Sequence, residues 1–140
     1  MRFLIPVDGS KGANRAVEYV LNRAACAMQE REIFLLNVQW KVAAGNVKLF
    51  ISQDTINEHY REQGLDELAA ARAILDAAQV AYEYHISVGT PAEAIVQYAR
   101  EHNIDQIVMS KQGQSGLQEW LLGSVVSKVL HLSDYPVLVV

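Results

Sequence analysis

Ser110, Gly113, Gly116, Gly123 and Ser124 have the types and spacing that could do chemistry, and that chemistry is the holding of an anion. They sit in residues 108–140, VMSKQGQSGLQEWLLGSVVSKVLHLSDYPVLVV. An apolar strand, Ile107-Val108-Met109, feeds a loop of glycines and small polar residues. Glycine has no Cβ, so main-chain N–H groups in such a loop can come close to a phosphate. Gly123-Ser124-Val125 then opens an amphipathic helix, whose first turn adds unpaired N–H donors and the positive end of the dipole. The spacing predicts an anion site, suited to a nucleotide phosphate, between Ser110 and Val125. Each residue also has a plainer role. The glycines fit a surface turn, Ser124 fits a helix N-cap, and Lys111 fits a solvated lysine as well as a phosphate contact.

Other chemistries lack their residues. No G-x-x-x-x-G-K-[ST] loop is present, which argues against a conventional P-loop ATPase. No G-x-G-x-x-G follows the first strand, which argues against a dinucleotide enzyme. Gly113-Gln114-Ser115-Gly116 lacks the G-x-S-x-G spacing of a nucleophile elbow. His59, His85, His102 and His131 are scattered without metal-ligand pairing, so no metal site is expected. Glu83 and His85 share one face of a strand and fit an outward polar surface. Asp66-Glu67 and Glu30-Arg31-Glu32 read as solvated charge. No nucleophile, base and orienting partner assemble, so no catalytic residue is assigned.

The chain has 140 residues, which fits one domain over 1–140 with a sizeable core. Hydrophobic residues make up 51% and charged ones 20%, a globular balance that excludes wholesale disorder. A net charge of -4 without a Lys/Arg cluster argues against nucleic acid as a partner. No apolar run reaches the length of a membrane span, and residues 1–10 lack the pattern of a signal peptide. Cys26, the single cysteine, excludes an internal disulfide and fits a packed thiol in a reducing compartment. A cytoplasmic location is the expectation.

The elements that must position the loop alternate along the chain. Residues 3–7 form an unbroken apolar run, as a strand buried on both faces requires. Ser10 is a plausible N-cap for a helix whose inner face carries Ala13, Ala16, Val17, Val20, Leu21, Ala24 and Met28. Residues 33–38 form the second strand. Residues 39–53, with Trp40, Leu49, Phe50 and Ile51, lack a clear period and read as a loop, either folded over the core edge or acting as a lid. Asp54 is placed to cap the next helix, whose face carries Ile56, Tyr60, Leu68, Ala71, Leu75 and Ala78; Gly64 in that row permits close packing or weakens the helix.

Residues 81–87 alternate as a third strand with the polarity of an edge. Thr90-Pro91-Ala92-Glu93 is a helix start with Thr90 as N-cap and Glu93 completing a capping box; Ile95, Val96 and Ala99 face inward and Asn103 ends the helix. Residues 104–109, 124–132 and 137–140 complete the series as strand, helix and strand. Five strands interleaved with four helices predict an α/β fold: a doubly wound five-stranded parallel sheet with helices on both faces. Ligands of such sheets sit beyond the carboxyl ends of the strands at the topological switch point. Pro6-Val7-Asp8, Val38 and the loop from Met109 should then share one crevice.

The chain resembles the universal stress protein family over essentially its whole length. Val7-Asp8-Gly9-Ser10, Gly89-Thr90-Pro91-Ala92-Glu93, Leu122-Gly123-Ser124-Val125 and Pro136 to Val140 carry the resemblance. ATP-binding members carry Gly-x-x-Gly, nine residues, then Gly-Ser or Gly-Thr. Here Gly113 and Gly123-Ser124 keep the nine-residue spacing, Ser110 replaces the first glycine, and a further glycine at the place of Gly116 is common in similar sequences. A serine at 110 is strained if that position needs positive φ; with ordinary φ its hydroxyl could donate to a ribose or phosphate oxygen.

The resemblance implies the Rossmann-like fold of the adenine nucleotide alpha hydrolases and a role in stress response or signalling. It implies ATP as ligand, with Mg as an option and at most slow hydrolysis. Pro6, Val7 and Asp8 would line adenine and ribose, Val38 would meet adenine through its main chain, and Met109 and Ser110 would lie by the ribose. Gly113 and Gly116, with Gly123, Ser124 and Val125, would hold the phosphates. Asp8 near phosphates is awkward unless it bonds sugar hydroxyls or a metal ion, and a turn residue is its plainer role. The alternative is an interaction module of the same fold that binds no nucleotide. The resemblance also implies a homodimer through the last strand, from Val137 to Val140, a physically reasonable use of an apolar edge that residues 40–51 could otherwise cover.

Overall fold

Strand and helix alternate in the computed structural model, which describes residues 1–25, 30–41, 53–114 and 121–140. The order is β1 (Arg2–Pro6), α1 (Lys11–Ala25), β2 (Glu32–Trp40), α2 (Gln53–Ala77), β3 (Tyr82–Gly89), α3 (Pro91–Glu101), β4 (Gln106–Met109), α4 (Ser124–Leu132) and β5 (Val137–Val139). All strand pairs are parallel, in the order β3-β2-β1-β4-β5. The chain winds outward from β1 to β3, then returns to the other side of β1 for β4 and β5. This is the doubly wound sheet that the alternation predicts.

Period-two alternation sends neighbouring side chains of each central strand to opposite layers. Leu4, Phe34, Leu36 and Ile107 join Ile95, Ala99, Val126 and Val129, from α3 and α4. Ile5, Ile33, Leu35 and Val108 join Val17, Leu68, Ala71 and Leu75, from α1 and α2. Both faces of the central strands are therefore buried, which is why their sequences carry so few polar residues. Gly64 of α2 sits so close to β3 that a Cβ there would lie 2.8 Å from the Ile86 side chain, so close packing is its role.

Several boundaries shift for identifiable reasons. Gln39 and Trp40 belong to β2, because they continue the ladder opposite Val88 and Gly89. Residues 42–52, and with them most of the expected loop, lie outside the described residues, as do Cys26 and Met28. α2 starts at Gln53, which puts Asp54 inside the helix instead of at its cap. Ala78 lies beyond α2 and is exposed. Ile104 is buried but joins no strand: its N–H bonds Ala99 O at 3.0 Å, in a turn where Asn103 takes φ 49°. The capping box also fails to close. Thr90 is the N-cap and Pro91 follows it, yet Thr90 makes no side-chain cap bond, and Glu93 pairs with Lys128 of α4 at 2.5 Å. Ser10 does cap α1, its Oγ accepting from Ala13 N at 3.2 Å.

Where α3 faces β2 and β3, Tyr98 is buried and stacks on His102 at 3.7 Å, and its hydroxyl shares a 2.6 Å hydrogen bond with His85 Nδ1. The outward polar reading of His85 thus omits a partner. Burial first, and then the Glu83 carboxylate, push the Tyr98 phenol up to about 12 from its ordinary 10.0. Because folding raises this pKa, the stability it contributes is intact below pH 10.0 and is lost as pH rises toward about 12. Ultraviolet titration of the native protein should show a late-ionising tyrosine that Tyr98→Phe removes. Ionisation of every tyrosine in the ordinary range would contradict this.

Candidate functional site

β1 and β4 are neighbours whose chains leave in opposite directions, β1 into α1 on one face and β4 toward α4 on the other. The divergence opens a cavity of about 500 Å³ beyond the carboxyl ends of the strands. Pro6, Val7 and Asp8 line it from β1, Val38 from β2, and Met109, Ser110 and Gly113 from the exit of β4. Gly123, Ser124 and Val125 line it from the start of α4. Every residue expected from the sequence therefore borders one space, except Gly116, which lies outside the described residues.

One wall is built of donors. Gly123 N donates to Lys111 O at 2.8 Å, which draws the start of α4 against the loop after β4. Gly123, not Ser124, is the N-cap; its backbone is extended and it has no side-chain cap bond. The helical ladder begins with Ser127 N to Gly123 O at 3.0 Å, so the amides of Ser124, Val125 and Val126 precede it. Among the described residues nothing accepts from those amides.

Ser110 does not take a positive φ, so the serine is not strained there. Its hydroxyl turns inward and donates to Gln112 O at 2.5 Å. Space for that side chain comes from α1: a Cβ on Gly12 would lie 2.5 Å from Ser110 Oγ and 2.7 Å from Gln112 O. Asp8 acts as the turn residue of its plainer reading and makes a second contact besides. Its Oδ1 accepts from Ser10 N at 3.0 Å, as a turn residue would, while Oδ2 accepts from Gln114 N at 3.1 Å. Gln114 Nε2 returns a bond to Asp8 O, so Asp8 stitches the end of β1 to the loop after β4. A Cβ on Gly113 would collide with Asp8 Oδ2, so a side chain there would displace the carboxylate from its bond to Gln114 N.

The opposite wall was missed by sequence reasoning. It comes from the end of β2 and from one face of α2: Gln39, Trp40, His59, Tyr60, Gln63 and Glu67. Glu67 is no solvated charge. Its Oε2 accepts from Asn37 Nδ2 at 2.7 Å and Gln39 Nε2 at 3.0 Å, and Oε1 accepts from Gln63 Nε2 at 3.4 Å. Asn37 Nδ2 also donates to Val7 O at 2.9 Å, and Gln39 Nε2 to Asn37 Oδ1 at 2.8 Å. Among the described residues no cation pairs with Glu67. Two buried amides in a central strand were the available signal, since such groups must find hydrogen-bond partners.

The arrangement offers donors at one end, apolar walls from Val38, Met109 and Ile95 between, and acceptors at the other end. It suits an elongated ligand with an anionic head and a flat apolar body. Among the described residues no helix is long and apolar enough to cross a membrane.

The sequence pattern described as the universal stress protein family matches residues 1–140. Universal stress protein YxiE of Bacillus subtilis is 30% identical, over 99% of this chain and 97% of its own. The solved structure of MJ0577, a universal stress protein of Methanocaldococcus jannaschii, is 29% identical and superposes with a TM-score of 0.80 over 99% of this chain and 94% of that one. A universal stress protein solved in complex with cAMP shares the fold, with a TM-score of 0.71 at 24% identity over 100% and 96% of the two chains. The whole-length match, the five-stranded parallel order and the cavity at the switch point agree, and the chain belongs to the universal stress protein family.

Proposed function

We propose that this chain is a nucleotide-binding universal stress protein that holds ATP in the strand-end cavity. The observation that carries the reading is the meeting of the two ends of the glycine spacing. Gly113 and Gly123-Ser124 border the same cavity, closed against each other by the Gly123 N to Lys111 O bond. The purine packs between apolar side chains near Val38 and Met109, and the phosphates face the free amides of α4. Support at family level comes from the relative solved with cAMP, which carries an adenine nucleotide.

Hydrolysis is at most slow in this reading, since an anion-holding wall supplies binding without an activated water. Asp8 and Glu67, the carboxylates of the cavity lining, are both engaged by amide donors, so they do not fit a protein-held Mg. Magnesium that arrives with ATP belongs to the phosphates. Nucleotide occupancy then acts by favouring whichever conformation or partner complex binds it more tightly, which is how a non-catalytic stress protein signals. Such a role places it among soluble stress-response proteins of the cytoplasm.

The reading extends to a homodimer. β5 is an edge strand, hydrogen-bonded on one side only to β4, and Val137, Leu138 and Val139 remain half-buried. An apolar edge with open main-chain groups is satisfied by a second copy of itself.

Two measurements test these statements. ATP at ~100 times its Kd should stabilise the fold by ~2.7 kcal/mol, seen as a rise in Tm. No shift at millimolar ATP leaves an interaction module as the better account. Light scattering over a range of concentration should give the mass of a dimer; a monomer at every concentration removes the β5 pairing.

A further inference from the structure

We infer that Gln39 selects the ligand by accepting a hydrogen bond from an amino group, which in a nucleotide is the exocyclic amine of the base. This rests on the nucleotide reading and adds to it a specificity-determining side chain.

The orientation of Gln39 follows from the groups that hold it. Val7 C=O and an ionised Glu67 carboxylate can only accept hydrogen bonds. Asn37 Nδ2 lies 2.9 Å from the first and 2.7 Å from the second, so both of its hydrogens are committed and the Asn37 amide cannot be reversed. Its Oδ1 is then the atom facing Gln39, at 2.8 Å, and the Gln39 atom that meets it must donate. The same Gln39 Nε2 donates its second hydrogen to Glu67 Oε2 at 3.0 Å. Both donors of Gln39 are therefore committed, and only Oε1 remains. Among the described residues Oε1 has no partner, and it is not among the atoms sealed from solvent. Gln39 borders the cavity, and in this inference that oxygen is the acceptor that meets its occupant.

The charge layout gives the occupant a direction. Glu67, with its carboxylate uncompensated by a cation among the described residues, stands beside Gln39 at the β2–α2 end. The unpaired amides of Ser124, Val125 and Val126 stand at the α4 end. A phosphate is repelled from the first and drawn to the second, so a nucleotide enters base toward Gln39. A base with an amine there meets an acceptor. A base with a carbonyl in that place sets two lone pairs against each other and leaves both unpaired, an arrangement binding sites reject strongly.

Inosine triphosphate is the probe, since it replaces the 6-amino group of ATP by a carbonyl. Calorimetric Kd values for ATP and inosine triphosphate should favour ATP by about tenfold or more in the wild type. In Gln39→Met, similar in length but without the acceptor, the ratio of the two affinities should fall to within about threefold, whatever the loss of affinity common to both ligands. The ratio separates recognition from mere loss of affinity, which would weaken both ligands alike. An unchanged ratio in Gln39→Met, or equal affinities in the wild type, overturns the inference while leaving the nucleotide site standing. No binding of either nucleotide removes the site itself, and this inference with it. A wild-type structure with ATP decides the matter if the variant does not fold: Gln39 Oε1 should lie within ~3.2 Å of a ligand nitrogen, and a base bound out of its reach refutes the assignment.

Discussion

The constraint on which the rest depends is the parallel pairing of β1 with both β2 and β4. Parallel neighbours cannot be joined by a tight hairpin, so each connection needs a crossover, and right-handed crossovers on the two sides of β1 fall on opposite faces of the sheet. The helices after β1 and β4 must therefore separate. Where they separate, the strand ends are left uncovered, and the cavity of about 500 Å³ is that uncovered place. Its walls are decided by topology before any particular side chain is chosen.

Side chains then decide what the cavity prefers. Near β4 the chain supplies main-chain donors and little else: a loop in which Gly113 passes against Asp8, and a helix whose cap is Gly123. Near β2 it supplies a carboxylate held by three amide side chains, Asn37, Gln39 and Gln63. Burying unpaired polar groups costs about 1–3 kcal/mol each, so such a network is tolerable only when nearly every donor and acceptor is matched. Here all four side-chain hydrogens of Asn37 and Gln39 are used. The order this imposes is what leaves one oxygen, on Gln39, in a single orientation.

What could be read from the sequence divides along the same line. The alternation of strand and helix, the doubly wound layers and the donor wall follow from local signals: apolar runs, helical spacing, and glycines next to a helix start. Boundaries set by pairing were harder. β2 runs on to Trp40 because β3 lies beside it, and nothing within residues 39–40 announces that neighbour. Glu67 illustrates the larger difficulty. Beside Asp66, in a helix, it has every local mark of a surface residue, and the two buried amides that hold it are 28 and 30 residues away, on another element. The acceptor wall is thus a product of packing between α2 and β2, not of any motif.

Ser110 makes a related point about patterns. Glycine at one position of a phosphate-type loop is usually explained by backbone freedom, and its replacement by serine then looks like damage. In this chain the backbone at 110 needs no positive φ, so the replacement is a matter of room for one Cβ and one hydroxyl. Gly12 supplies that room from the facing turn of α1, and the hydroxyl is satisfied within the loop by Gln112 O. The position that must lack a side chain is therefore Gly12 as much as any residue in the spacing pattern. A substitution at Gly12 would press on Ser110 and Gln112 together, although no residue of α1 belongs to the glycine motif. The shape of the loop is a property of the contact between two segments, and a pattern written on one of them records only half of it.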